Sequence, residues 1–287
     1  MEVRIFDDTR AWLDAVGPLL LEDEARHDLA FGIADTLIRH PSVYPTRHLW
    51  AVERDGRVVG AAIQTPPHNV ALARPAEPGV VEVLSRAIRD AGIDLPGVTG
   101  AEPEAHAFAA AWRDLTGCDV RPVIGQGVYR LAEVREVPAS PGAPRPGSTC
   151  VDLELVLGWM QAFDLEVVPP ELRGDPDQRR RRIETVFGSD EGGFWFWEDG
   201  GEPVSMAGVG SFTPNGARVG PVYTPPEARG RGYATSLVAD VSRAQLALGR
   251  AFCFLHTDLG NPTSNAIYRR IGYERVCDAV ALAFDPS

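Results

Sequence analysis

One segment constrains the fold more than any other: a predicted strand that stops at two prolines and then passes through a glycine-rich loop directly into a predicted helix. The strand covers residues 217–223, and Pro225-Pro226 ends it because proline lacks the N–H that a sheet needs. Gly230 and Gly232 let the backbone approach a ligand with no Cβ in the way. The helix, residues 233–248, begins with unsatisfied N–H groups and the positive end of its dipole. The segment therefore predicts a binding site for an anion such as a phosphate.

Two common phosphate-binding motifs do not fit this loop. A P-loop needs a Gly-Lys-Ser/Thr sequence, and the chain has no lysine, so that all 28 of its basic residues are arginine. A dinucleotide fingerprint needs a third glycine, but Gly230-Arg231-Gly232 is followed by Tyr233, Ala234 and Thr235. Arg229 and Arg231 add positive charge to the loop.

A second strand–loop–helix segment follows at residues 252–271. Asn261, Asn265 and Tyr268 stand at positions i, i+4 and i+7, so the helix at 262–271 places them on one face. Gly272 is suited to end that helix.

Both segments resemble the signatures of one family. Arg229-x-x-Gly232-x-Ala234 after a strand resembles the pyrophosphate motif of the GNAT superfamily of N-acetyltransferases, and the second segment resembles its Asn…Ser-Asn-x-x-Tyr…Gly-Tyr signature. The resemblance covers about residues 150–285 and implies acetyl-CoA as co-substrate, with no metal. It implies a catalytic role for Tyr268, which would protonate the leaving thiolate or donate a hydrogen bond to it. The implied cofactor-binding residues are Val222, Tyr223, Thr224, Arg229, Gly230, Arg231, Gly232, Tyr233, Ala234, Thr235, Asn261 and Asn265.

The domain organisation follows from a stretch rich in proline and glycine at residues 134–149, which we interpret as a linker. It separates residues 1–133 from a catalytic domain at 150–287. Both pieces have a similar order of predicted elements, which suggests an internal duplication. We predict an α/β fold of two acetyltransferase-like domains, each with a central, twisted, mostly antiparallel sheet flanked by helices. The first lacks the pyrophosphate motif and is expected to be a degenerate copy that shapes the acceptor cleft.

The composition of the chain limits the kinds of molecule that we expect it to bind. The net charge is -12 and both halves are acidic, which argues against nucleic acid. No apolar run is long enough to span a membrane and the first residues are not a signal peptide, so we expect a cytoplasmic protein. The four cysteines lie far apart without a CxxC pair, which argues against zinc and a disulfide scaffold. The oligomeric state stays open.

The function that the resemblance implies is transfer of an acetyl group from acetyl-CoA to a primary amine, by direct attack, on an acceptor that we expect to be a small molecule. Two alternatives stay open: mycothiol-synthase-like chemistry, and a non-catalytic acyl-CoA sensor. The general base also stays open among Glu198, His256, Asp258 and a water chain. In the aromatic run at residues 194–197 the two tryptophans share one strand face and the two phenylalanines the other, so that one face lines an acceptor pocket or both are buried.

Overall fold

A computed structural model describes residues 1–187 and 192–285 of the chain. Residues 188–191 and 286–287, which the predicted domain 150–287 includes, lie outside the described residues. Contacts divide the chain into two compact units, residues 1–127 with 276–287 and residues 128–275.

The first unit contains the elements of the first half of the chain. Its strands are β1 (Glu2–Phe6), β2 (His48–Arg54), β3 (Arg57–Gln64), β4 (Val70–Leu72), β5 (Gly97–Ala101) and most of β6 (Asp119–Leu131). Its helices are α1 (Thr9–Leu21), α2 (Asp28–Arg39), α3 (Val80–Asp90) and α4 (Glu102–Thr116). Strands β1 to β4 pair antiparallel in sequence order, and β4 pairs with β5 in parallel.

The second unit contains the elements of the second half except for most of the last strand. Its strands are β7 (Ala143–Pro146), β8 (Gly193–Asp199), β9 (Glu202–Phe212), β10 (Gly216–Tyr223) and β11 (Phe252–Asp258), and the last strand of the chain is β12 (Glu274–Asp285). Its helices are α5 (Thr149–Val167), α6 (Pro176–Phe187), α7 (Tyr233–Ala247) and α8 (Pro262–Ile271). Strands β7 to β10 pair antiparallel in sequence order, and β10 pairs with β11 in parallel.

The two halves of the chain repeat the same order of elements. Each runs β-α-α-β-β-β-α-β-α-β, and in each the first strand pairs with the second and the fourth pairs in parallel with the fifth. The repeat supports an internal duplication and confirms the predicted fold class, a mixed α/β protein whose sheets are mostly antiparallel and flanked by helices.

The predicted linker at residues 134–149 is wrong in its central part. Residues Ala143–Pro146 form β7 and pair with β8 from Pro146↔Trp195 to Ala143↔Glu198. Proline is tolerated on an edge strand because one side of the strand needs no N–H donor. The composition that suggested a linker is therefore that of an edge strand, which opens the second copy as β1 opens the first.

The predicted domain limits also differ from the observed units at both ends. Residues 128–133 belong to the second unit, and residues 276–287 belong to the first. In the first unit β12 pairs antiparallel with β5 from Ala279↔Ala101 to Ala283↔Gly97. Val280, Leu282 and Phe284 join the apolar core there. Local sequence patterns do not reveal which half a terminal strand completes.

Alternating side chains give each sheet two buried faces. In β2, Trp50 and Val52 pack with α3 and α4, whereas Leu49 and Ala51 pack with α1 and α2. The aromatic run of β8 behaves in the same way. Phe194 and Phe196 lie in a cluster with α5 and α6, and Trp195 and Trp197 lie in a cluster with α7 and α8. Both faces of β8 are thus packed. In the described part of the chain, no helix combines the length and the apolar character needed to cross a membrane.

Candidate active site

Strands β10 and β11 separate at the end where the predicted site lies. Their parallel pairing runs from Gly216↔Phe252 to Arg218↔Phe254, although β10 continues to Tyr223 and β11 to Asp258. Within the described residues, the edge of β10 that faces β11 is therefore open over residues 219–223. The other edge pairs with β9 and, after an irregularity between Val219 and Val222, pairs again up to Tyr223↔Met206. The Ser205 hydroxyl donates to the Tyr223 carbonyl at 3.2 Å. An open strand edge offers N–H and C=O groups to an extended ligand.

The glycine-rich loop connects this open strand to α7. After Thr224 the chain makes a 3₁₀ turn at Pro226–Ala228, and Gly230 (φ 77°) and Gly232 (φ 83°) adopt the left-handed conformation. The first bond of α7 runs from the Ser236 N–H to the Gly232 carbonyl at 3.1 Å. No side chain of the described residues caps the helix, and its first turn carries no acid. The N–H groups of residues 232–235, including Tyr233, Ala234 and Thr235, therefore remain available to an anion.

The side chain of Arg229 has partners within the protein. Its Nη2 donates to both carboxylate oxygens of Glu166 on α5, at 2.7 and 2.9 Å, and its Nε donates to the Thr224 carbonyl at 2.8 Å. Arg229 thus links the end of β10 to α5, and we name this arrangement the Arg229–Glu166 clamp. Arg231 is exposed, and it supplies the positive charge that the loop can turn toward a ligand.

Sequence reasoning missed Ser140, because it lies in the stretch interpreted as a linker. Its hydroxyl donates to the Arg231 carbonyl at 3.1 Å, and its N–H donates to the Ser236 hydroxyl at 3.1 Å. A Cβ built on Gly232 would stand 2.8 Å from the Ser140 Oγ. Ser140 therefore holds the loop against the start of α7. Only the proximity of the segment in the fold, and no local motif, could have revealed this contact.

The two asparagines of the second signature are engaged with protein groups. Asn261 caps α8 and accepts from the Ser264 N–H at 3.0 Å. Asn265 is buried, donates to the carbonyls of Asp258 and Asn261 at 3.0 and 2.8 Å, and accepts from the Tyr129 hydroxyl at 3.2 Å. These bonds fix the turn between β11 and α8.

Tyr268 lies on the same helix, with its ring 5.9 Å from that of Tyr273. Burial raises the pKa of Tyr268 to about 12. A protonated phenol is able to donate a hydrogen bond to a ligand.

The three candidate bases occupy different settings. The Arg145 guanidinium holds Glu198 in an ion pair. Asp258 accepts from the Gly260 N–H at 2.7 Å in a turn. His256 is half-buried on β11. None of these settings singles out a base.

In the first unit, residues 73–79 form the loop that corresponds to the glycine-rich loop before α7. Gly79 (φ 84°) precedes α3 as Gly232 precedes α7. However, the Arg74 N–H donates to the buried His27 Nε2 at 2.9 Å, and Glu77 forms an ion pair with Arg54. This loop is therefore engaged in contacts within the first unit.

Comparisons with known proteins agree with this geometry. Residues 159–273 match the family model described as Acetyltransferase (GNAT) family. The chain is similar in fold to a GNAT-family acetyltransferase from Colwellia psychrerythraea, with a TM-score of 0.59, 10% identity and 100% of both chains covered. A GCN5-related N-acetyltransferase from Sphaerobacter thermophilus gives a TM-score of 0.61 and 17% identity over 98% of this chain and 95% of that one. A tandem GNAT protein from the clavulanic acid biosynthesis pathway gives 0.56 and 17%, with 100% of both chains covered.

A search of curated proteins found no match. The low identities make the solved structures evidence for the fold alone, whereas the family match falls on the segment that contains the open strand, the loop and α8. Residues 159–273 are thus similar to the acetyltransferase (GNAT) family.

Proposed function

We propose that the protein is an acetyl-CoA-dependent N-acetyltransferase that acetylates a primary amine of a small molecule. One observation carries this proposal: the uncapped start of α7, led by Gly230 and Gly232, directly follows the open edge of β10. A diphosphate fits the first feature and an extended amide-containing arm fits the second. Coenzyme A contains both.

The residues fit this ligand in position and in charge. The N–H groups of residues 232–235 and the Arg231 guanidinium would hold the diphosphate. Val222, Tyr223 and Thr224 would offer backbone groups to the pantetheine arm. Because the Arg229 and Asn265 side chains already have protein partners, we assign them the task of fixing the loops rather than touching the ligand. Asn261 fixes the start of α8 in the same way.

Acetyl-CoA would supply the acetyl group as a thioester. The amine nitrogen would form the amide bond as the C–S bond breaks, and the proton lost by the amine would end on the thiolate sulfur or in solvent. Backbone N–H groups at the open end of β10 would stabilise negative charge on the carbonyl oxygen. A thiol has a pKa of about 8.5 and Tyr268 one of about 12, so full proton transfer from Tyr268 to the thiolate is unfavourable. We therefore assign Tyr268 the role of hydrogen-bond donor to the leaving sulfur.

A matched pair of glycine substitutions tests the site by isothermal titration with acetyl-CoA. Gly230 (φ 77°) precedes α7 and Gly249 (φ 92°) follows it, and among the described residues a Cβ at either would meet no atom within 4 Å. Glu imposes the same backbone strain at both, but only Gly230→Glu adds negative charge where the diphosphate would lie. We expect loss of binding in Gly230→Glu and wild-type affinity in Gly249→Glu. Equal affinities, or no binding by the wild type, would refute the proposal.

The same titration tests whether the first unit is degenerate. We expect one acetyl-CoA per chain, because the loop of that unit is engaged in internal contacts, with Glu77 paired to Arg54 and the Arg74 N–H donating to His27. A stoichiometry of two would contradict this expectation. The full chain must be used, since a fragment ending at residue 133 would lack β12.

Turnover separates the proposal from its alternatives. An acyl-CoA sensor would bind acetyl-CoA yet release no thiol with any amine. Mycothiol-synthase-like chemistry would require an amino-sugar thiol acceptor and no reaction with simple amines.

A further inference from the structure

Helix α5 has an unusual surface for its composition. Apolar side chains occur on all sides of it, and a helix with that pattern is normally buried. Yet of its residues, all of which the structure describes, only Asp152 and Val156 are buried. Trp159, Met160 and Phe163 are half-buried. These three side chains pack against the core cluster of α5 and β8 and keep part of their surface exposed.

One face of α5 lies beside the end of β10. The Trp159 ring is 5.9 Å from the rings of both Tyr223 and Phe196, and Glu166 holds Arg229 through the clamp. Residues 159, 163 and 166 follow the i, i+4, i+7 spacing, so Phe163 lies on the same face between these two contacts. We call Trp159, Phe163 and Tyr223 the aromatic wall. Because Tyr223 ends the open strand, a group that approaches the thioester from the α5 side meets this wall.

The carboxylates of α5 are neutralised. Asp152 pairs with Arg145 at 2.8 Å, Glu154 with Arg180 at 2.8 Å, Asp164 with Arg179 at 2.6 Å and Glu166 with Arg229 at 2.7 Å. A polycation such as a polyamine or an aminoglycoside needs several unpaired carboxylates. This helix offers an apolar surface instead, despite the acidic charge of the whole chain.

We infer that the acceptor is a primary amine on an apolar, ring-containing body, an arylalkylamine in chemical class, whose ring packs on the aromatic wall. The inference rests on the proposed function and names the substrate class of that same site. Aromatic rings gain from tilted or stacked contacts with Trp and Tyr beyond the area they bury. The amine at the other end of a short alkyl chain then points toward the open edge of β10.

The test compares thiol release from acetyl-CoA with two sets of primary amines. We expect kcat/KM for 2-phenylethylamine and tryptamine to exceed that for putrescine and spermidine by at least about tenfold. Trp159→Ala should lower kcat/KM for the arylalkylamines by about tenfold and leave acetyl-CoA affinity unchanged. Trp159→Phe, which keeps an aromatic ring, should retain most of the activity even if the alanine variant fails to fold. The control is Leu165→Ala on the same helix, an exposed side chain pointing elsewhere, which should have no effect.

The outcomes distinguish a failure of the proposed function from a failure of the acceptor inference. If acetyl-CoA does not bind to the wild type, the proposed function fails. If acetyl-CoA binds but the polyamines react as well as the arylalkylamines, or no arylalkylamine reacts, the acceptor inference is overturned while the cofactor site stands. It is overturned equally if size-exclusion chromatography shows a dimer that Trp159→Ala dissociates, because a second copy would then cover this face.

Discussion

The contact between Gly232 and Ser140 allows a quantitative test of the loop. Gly230 and Gly232 both adopt the left-handed conformation, which costs an alanine about 1–2 kcal/mol. They differ in their surroundings. Within the described structure a Cβ at Gly230 would meet nothing within 4 Å, whereas one at Gly232 would lie 2.8 Å from the Ser140 Oγ. Gly230→Ala therefore measures backbone strain alone, and Gly232→Ala measures strain plus displacement of Ser140.

The displacement should break the hydrogen bond from Ser140 to the Arg231 carbonyl, which contributes about 1 kcal/mol. We therefore expect Gly232→Ala to cost about 1 kcal/mol more than Gly230→Ala. In a Ser140→Ala background, which has no Oγ, the two glycine substitutions should cost the same.

Urea denaturation followed by tryptophan fluorescence gives the free energies of unfolding for the six proteins of this cycle. Equal costs for the two glycine variants in the wild-type background would refute the contact. So would an extra cost of Gly232→Ala that persists after Ser140→Ala.

Further predictions concern the clamp, the tyrosine and a buried histidine. Glu166→Gln weakens a half-exposed ion pair, so it should lower kcat by at most about fivefold with little change in acetyl-CoA affinity. Arg231→Gln should instead lower the affinity for acetyl-CoA and make that affinity less dependent on salt, as titration at two ionic strengths would reveal. A loss of acetyl-CoA affinity in Glu166→Gln with none in Arg231→Gln would contradict these assignments. Tyr268→Phe should lower kcat by about tenfold or more, while the wild-type pH–rate profile shows no loss from tyrosine ionisation below about pH 11, because its pKa is about 12. Burial lowers the pKa of His27, so the unfolded state binds the proton first and stability falls as pH drops below about 6.5. The free energy of unfolding should fall by up to about 1.4 kcal/mol per pH unit, and less steeply in His27→Gln. Parallel plots of this free energy against pH for the two proteins would show that His27 is not responsible.

Local sequence patterns were sufficient for elements with a strong signal. The helix at 262–271 has the predicted limits, because Asn261 caps its start and Gly272 ends it in the left-handed conformation. The glycine-rich loop was equally clear, since two prolines end the strand and two glycines permit the left-handed conformation before α7. The opposite faces of the aromatic run in β8 followed from the period of a strand.

Features that depend on distant contacts could not be predicted in this way. The sequence of edge strand β7 resembles a linker because it contains prolines. Only its pairing with β8, which the local sequence does not show, identifies it as a strand. The short strand β4 has too few residues to show a period. Likewise, the sequence predicts Arg229 to be a phosphate ligand, whereas in the structure its side chain pairs with Glu166. That partner is 63 positions away in the chain, so no local pattern predicts it.

The placement of β12 has a consequence for how the chain is made. Strand β5, formed early in synthesis, pairs with residues 279–283, and the first core is completed by Val280, Leu282 and Phe284. The ribosome must therefore synthesise the chain at least to residue 283 before the first copy can complete its sheet. Until then β5 presents an unpaired edge, which is a site for wrong pairing with other chains. The duplicated halves thus do not mature one after the other, and loss of the last strand should damage the half that was translated first.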